Sequence, residues 1–154
     1  MKKVMFVSSS GGHLTELLKL KSLFVNYDYM LVTEKTKTTE KLIEKYNVKY
    51  MDYGSRQYIF SYFFIFIFNV LRSIELILTF KPDMVITTGA HTGGIVCFIA
   101  KIFGKKIIYI ESLAKVNTLS MTGKFVYLFA DKFYVQWEEL EQKYKKAEYL
   151  GRLI

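Results

Sequence analysis

Two glycine-rich turns hold the side chains in this sequence best suited to chemistry: Ser8-Ser-Ser-Gly-Gly-His13 and Thr87-Thr-Gly-Ala-His-Thr-Gly-Gly94. Glycines let the backbone approach a ligand closely, and free N–H groups at a helix start favour an anion or a hydroxyl-rich group. Gly11 and Gly12 supply that approach in the first turn, where His13 and Glu16, three apart, share one face of the helix that follows. A histidine there can act as a general base near neutral pH or simply donate a hydrogen bond. The plainer alternative is a strand-to-helix turn with His13 as a cap. Gly89, Gly93 and Gly94 repeat the pattern, with His91 between them and no partner for it in the spacing. Glu111, followed by Ser112, ends the apolar run Ile108-Tyr-Ile. A carboxylate at a strand C-terminus projects into the crevice of a parallel sheet, where partial desolvation could make it a base. A capping or structural role for Glu111 is equally open.

Other chemistries fail on spacing. No third glycine follows the first pair and no acidic ribose-binding residue is placed for it, so a free-standing dinucleotide enzyme is a poor fit. No GxxxxGK[ST] phosphate loop and no GxSxG nucleophile elbow occur. Two histidines, one cysteine and neither HExxH nor CxxC leave nothing to build a metal site from, so no metal is expected. The lone Cys97 lies in an apolar run, where it reads as a small buried hydrophobe in a reducing compartment.

Positioning these residues falls to an alternation of short apolar runs and longer amphipathic stretches. The runs Lys3–Ser8, Tyr29–Thr33, Lys49–Asp52, Met84–Thr88, Lys106–Glu111 and Lys132–Val135 predict strands. Leu14, Leu17, Leu18 and Leu23 share helical spacing, and helices are predicted over Thr39–Tyr46, Thr92–Phe103, Thr122–Ala130 and Glu138–Tyr144. Near-continuous apolar strands between helices predict an α/β fold, a parallel sheet covered on both faces, with both glycine turns opening on one crevice. The 154 residues suffice for one such Rossmann-like domain over 1–154, and no linker or repeat divides them.

The segment 58–80, YIFSYFFIFIFNVLRSIELILTF, departs from this pattern. Its polar residues Ser61, Asn69, Arg72, Glu75 and Thr79 fall on one helical face, leaving a surface of Phe, Ile and Leu too broad for docking on a sheet alone. Arg72 and Glu75 interrupt it too early for a bilayer span of about 20 apolar residues. A helix lying in the membrane interface fits, with Tyr58, Phe63, Phe64, Phe66 and Ile67 toward lipid and Arg72 at headgroup level. The alternatives are a buried crossover helix or one covered by a partner. The net charge of +8 suits anionic lipid or a pyrophosphate. Scattered lysines without an Arg-rich block or a DNA-binding spacing argue against nucleic acid. The apolar run at the N-terminus stops at Val7, too short for a signal peptide, so a cytoplasmic location is expected.

The stretches SSSGGHLTE, TTGAHTGG and IESLAKVNTLSMTGKFVYLFADKFYVQWEELEQKYKKAEYLG resemble the asparagine-linked glycosylation fourteen family and its bacterial capsule and exopolysaccharide counterparts. The resemblance covers nearly the whole chain, and 111–151 is its most specific part. It implies the acceptor-side half of a split, two-Rossmann-domain (GT-B) glycosyltransferase. The partner chain then holds the nucleotide-sugar-binding domain and most of the UDP-sugar, while this chain meets a lipid-pyrophosphate-linked saccharide at the cytoplasmic face of the cell membrane. Carried over, Gly11, Gly12, His13 and Glu16 match the first motif, Gly89, Gly93 and Gly94 the second, and Glu111 the acidic strand end. Eukaryotic members carry an N-terminal transmembrane helix that does not precede the first strand here, so segment 58–80 is expected to replace it. The implied reaction is inverting hexosyl or hexuronosyl transfer, with His13 as base before Glu111 and no metal. A non-catalytic activator and membrane anchor is the competing expectation.

Overall fold

In this computed structural model residues 1–54 and 59–153 are described, with the side chains of 59–62 excepted. Seven strands form a wholly parallel sheet in the order β3-β2-β1-β4-β5-β6-β7. They are β1 (Lys3–Val7), β2 (Asp28–Glu34), β3 (Val48–Met51), β4 (Met84–Thr87), β5 (Lys106–Ile110), β6 (Lys132–Val135) and β7 (Ala147–Tyr149). The strand order reverses between β1 and β4, which pair in register from Val4–Met84 to Val7–Thr87. A crevice opens at such a switch point because the connections on its two sides leave toward opposite faces.

Alternation along each strand feeds two cores. Val4 and Phe6 of β1, Leu31 and Ile86 pack with Leu14, Leu17 and Phe24 on one face. Met5, Val7, Val32, Val85 and Ile107 pack on the other with Leu76, Ile77, Val96 and Ala100. The first face is covered by α1 (Gly12–Leu18) and the 3-10 turns Lys21–Asn26 and Glu40–Glu44. The second carries α2 (Ile59–Phe80), α3 (His91–Ile102) and α4 (Met121–Tyr127), and α5 (Glu138–Lys143) leads to β7. Two sequence expectations are corrected here. The helix expected to reach Leu23 ends at Leu18, because Lys19 and Leu20 donate to carbonyls three residues back, Glu16 and Leu17, and tighten the chain into a 3-10 turn. That turn buries Phe24 and exposes Leu23. The Thr39–Tyr46 stretch likewise forms only the 3-10 turn Glu40–Glu44.

Helix α2 also turns differently from the one-faced polar stripe. Asn69 is 2% exposed, and with Ser73, Leu76 and Ile77 it faces the protein. Its side-chain amide donates to the Asp52 carbonyl and its amide oxygen accepts from the Asp52 N–H, both at 2.9 Å, tying the helix to the end of β3. Arg72 and Glu75 pair with each other at the flank. Phe63, Phe64, Phe66, Ile67, Phe68, Leu71 and Leu78 are exposed. By length and composition Phe63–Phe80 could cross a membrane, and 22% of it is buried. Tyr58 lies outside the described residues.

Candidate functional site

The crevice is built from strand ends, where short loops must turn the chain into the next element. The loop after β1 and the loop after β4 are bonded directly to each other. The Ser9 N–H donates to the Gly89 carbonyl at 2.9 Å, and the Thr92 N–H donates to Ser9 Oγ at 3.2 Å. His13 joins them a second way. Its Nδ1 lies 2.9 Å from the Thr88 carbonyl oxygen, and the Thr88 hydroxyl donates back to the His13 carbonyl at 2.7 Å. A carbonyl can only accept, so Nδ1 carries the hydrogen and Nε2 is the nitrogen left to take a proton.

Glycine placement explains why these loops approach so closely. Gly11 precedes α1 at φ 83°, and neither it nor Gly12 has another group within 4 Å of where a Cβ would stand. Both leave open backbone beside His13. Gly89, at φ 91°, fits between the Tyr109 hydroxyl and the His13 ring, which a Cβ would meet at 3.0 and 3.5 Å. Gly93 and Gly94 lie within the first turn of α3 and serve packing: a side chain at Gly93 would strike the Thr87 hydroxyl, and one at Gly94 the Thr122 methyl at 2.9 Å. His91 opens α3 with its ring 6.1 Å from that of Phe66.

Three carboxylates knit the loops together. Glu16 Oε1 accepts from the Ser112 hydroxyl at 3.0 Å and from the Leu113 N–H at 3.2 Å, and its Oε2 accepts from Gln136 at 3.2 Å. Glu111 is 0% exposed. Its Oε1 accepts from the Ser112 N–H at 2.9 Å, and its Oε2 accepts from the N–H and hydroxyl of Ser120, the N-cap of α4. Gly123 leaves the room for that carboxylate, since a Cβ there would overlap Glu111 Oε2. Burial pushes the Glu111 carboxyl above its ordinary 4.5, while the N–H groups of Ser112 and Ser120, the Ser120 hydroxyl and the charge of His13 pull it back. Ser112 is likewise turned inward, its hydroxyl spent on Glu16 and on accepting from the Ala114 N–H.

The third carboxylate, Glu34, is absent from the sequence-derived site. It ends β2 and is buried. Its Oε2 accepts from the N–H and hydroxyl of Ser10 at 3.1 and 2.8 Å, and its Oε1 from the Thr92 hydroxyl at 2.7 Å, so it clamps both glycine turns. Its place at a strand C-terminus, like that of Glu111, is the signal that could have found it. Among the described residues no three metal-ligating side chains converge. With all three carboxylates engaged by the chain's own donors, the arrangement offers proton transfer at His13 beside the open backbone of Gly11 and Gly12.

A family model described as "Oligosaccharide biosynthesis protein Alg14 like" matches residues 4–153. The chain is 32% identical over 180 residues to the mouse "UDP-N-acetylglucosamine transferase subunit ALG14", covering 99% of this chain and 83% of the relative. The human protein of the same name is 33% identical over 182 residues, covering 98% and 82%. Among solved structures, Acinetobacter baumannii MurG superposes with a TM-score of 0.75 at 15% identity over 90% of this chain and 43% of its own. A Rickettsia bellii UDP-N-acetylglucosamine 2-epimerase gives 0.76 at 14% over 99% and 45%. At those identities the two structures show the fold alone. This chain spans somewhat under half of each.

Proposed function

The chain belongs to the Alg14-like oligosaccharide biosynthesis family, and from that premise we propose that it is the acceptor-side subunit of a two-chain glycosyltransferase. The partner chain holds most of the UDP-sugar, with UDP-N-acetylglucosamine the first donor to try because the mouse and human relatives are named for it. The capsule or exopolysaccharide setting implied by the resemblance has no support in those relatives, which are eukaryotic and named as transferase subunits. The acceptor is a lipid-pyrophosphate-linked saccharide, reached from the cytoplasmic face of a membrane on which the outer side of α2 rests.

One observation carries the chemistry: the bond from His13 Nδ1 to the Thr88 carbonyl orients the imidazole and sets its tautomer, and the Thr88 hydroxyl holds the His13 backbone beside the open glycines. His13 Nε2 then takes the proton of the attacking hydroxyl, whose oxygen bonds to the sugar's anomeric carbon with inversion as the bond from that carbon to UDP breaks and UDP leaves with the partner chain. Glu111 and Glu16 hold the loops that frame His13 and have no oxygen free of internal donors. Positioning acceptor and donor across the inter-chain cleft supplies much of the remaining rate.

The test is transfer by the chain reconstituted with its partner on membranes carrying the lipid-linked acceptor. His13→Ala lowers kcat by roughly 10²–10⁴, the usual worth of a positioned general base. If His13→Ala and Glu111→Ala both kept full turnover, this chain would hold no base. The activator-and-anchor reading would replace catalysis if, in addition, a partner tethered to the membrane by other means worked at full rate alone.

A further inference from the structure

Helices α2, α3 and α4 lie side by side on one face of the sheet. Between them lies an apolar slot of about 530 Å³, within the roughly 300–1,000 Å³ usual for small-molecule sites. Phe66 and Val70 of α2 form one wall, Ile95 and Phe98 of α3 the floor, and Phe125 of α4 the far side, with the Phe98 and Phe125 rings 5.6 Å apart. Ile95 is buried, while Phe98 and Phe125 are 44% exposed and present their rings to the slot.

One end of it adjoins the loops that frame the polar crevice. His91 and Thr122 line the slot, while the next residues on the same helices, Thr92 and Gly123, contact Glu34 and Glu111. Gly94 lets α3 close on Thr122 at that junction, so the polar and apolar regions meet within one helical turn. A molecule with its head in the crevice would run its tail down this slot.

We propose that the slot binds the hydrocarbon tail of a lipid pyrophosphate whose head occupies the crevice. The proposal rests on the acceptor-side reading for which molecule that is. Each methylene buried favours binding about fourfold, and immobilising the chain returns part of that gain. The complex in detergent micelles should therefore prefer a long-tailed lipid-pyrophosphate acceptor over a water-soluble short-tailed one by roughly tenfold or more in kcat/KM.

Val70→Trp, which fills the slot, and Phe98→Asp, which makes it polar, should cut that long-to-short ratio about tenfold. A prenyl diphosphate with a diazirine at its far end, photolysed with the complex, should label the peptides holding Phe98 and Phe125. A wild-type ratio near one, ratios unchanged in both variants, or labelling confined to the outer face of α2 at Phe64 and Leu71 would overturn the proposal. Labelling also reads variants too unstable to assay, and labelling in the slot without transfer to either acceptor would leave the tail site standing and remove the transferase reading.

Discussion

At the scale of single residues, Glu111 shows how one side chain can be both buried and acidic. Its carboxylate organises Ser112 and the start of α4, and burial raises its folded pKa above 4.5. The folded chain therefore holds that proton at pH values where the unfolded chain has released it. Stability contributed by the protonated form is full below 4.5 and falls as pH rises through the folded pKa. Glu111→Gln removes this titration but turns an N–H₂ toward the donors on one side, at a cost of about 1–3 kcal/mol. Thermal unfolding of both forms should show wild type the more stable, by a margin that narrows as pH rises from 4.5. A margin that widened would mean the carboxyl is held below its ordinary value. Glu34 makes a different point. In the sequence it stands just past the predicted strand Tyr29–Thr33 and before the predicted helix Thr39–Tyr46. Its partners, Ser10 and Thr92, lie 24 and 58 residues away, and only the switch-point topology brings them to it.

At the scale of elements, the buried strands were legible because a strand covered on both faces must be apolar at every position. The three-residue edge strand β7 was not, since its partly buried Glu148 and Tyr149 lack that signature. His13 and Glu16 could be found on the helix turn that follows the first glycine pair, and Glu111 as a carboxylate at a strand end. The packing duty of Gly93 and Gly94 depends on Thr87 and Thr122 and could not. Helix α2 shows the limit of periodicity most directly: its angular pattern groups the polar residues, but pairing decides which of them turn inward. Asn69 goes inward because Asp52 at the end of β3 needs both a donor and an acceptor. Asn69→Leu, close in volume, leaves both Asp52 backbone groups unpaired. It should cost about 2 kcal/mol, or roughly 4–8 °C in Tm for a chain of this size. An unchanged Tm would show that the amide does not hold α2 to the sheet.

At the scale of the whole molecule, the two faces of the sheet carry unequal covers. The α2–α4 face leaves Phe63, Phe64, Leu71, Ile102, Met121 and Leu128 exposed along α2, α3 and α4, and large apolar side chains left exposed on one face suit a membrane or partner surface. With a net charge of +8, the chain should float with vesicles containing anionic lipid, and salt should weaken this only in part, because screening leaves the apolar contact intact. Phe63→Ser/Phe64→Ser/Leu71→Ser should reduce flotation several-fold. A wild-type chain that stays monomeric without detergent and ignores vesicles would sink the membrane reading. The pairing of β1 with β4 bears on the order in which the chain is made. As residues leave the ribosome, β1, β2 and β3 can assemble at once, but one side of β1 stays unpaired until Met84–Thr87 arrives. All of α2 is synthesised in that interval, with its apolar face uncovered and half a sheet beside it. Such nascent states aggregate through open edges and bare apolar surface. A bilayer near the exit site that took up α2 during this window would guard the chain during its own synthesis, before there is any substrate to bind.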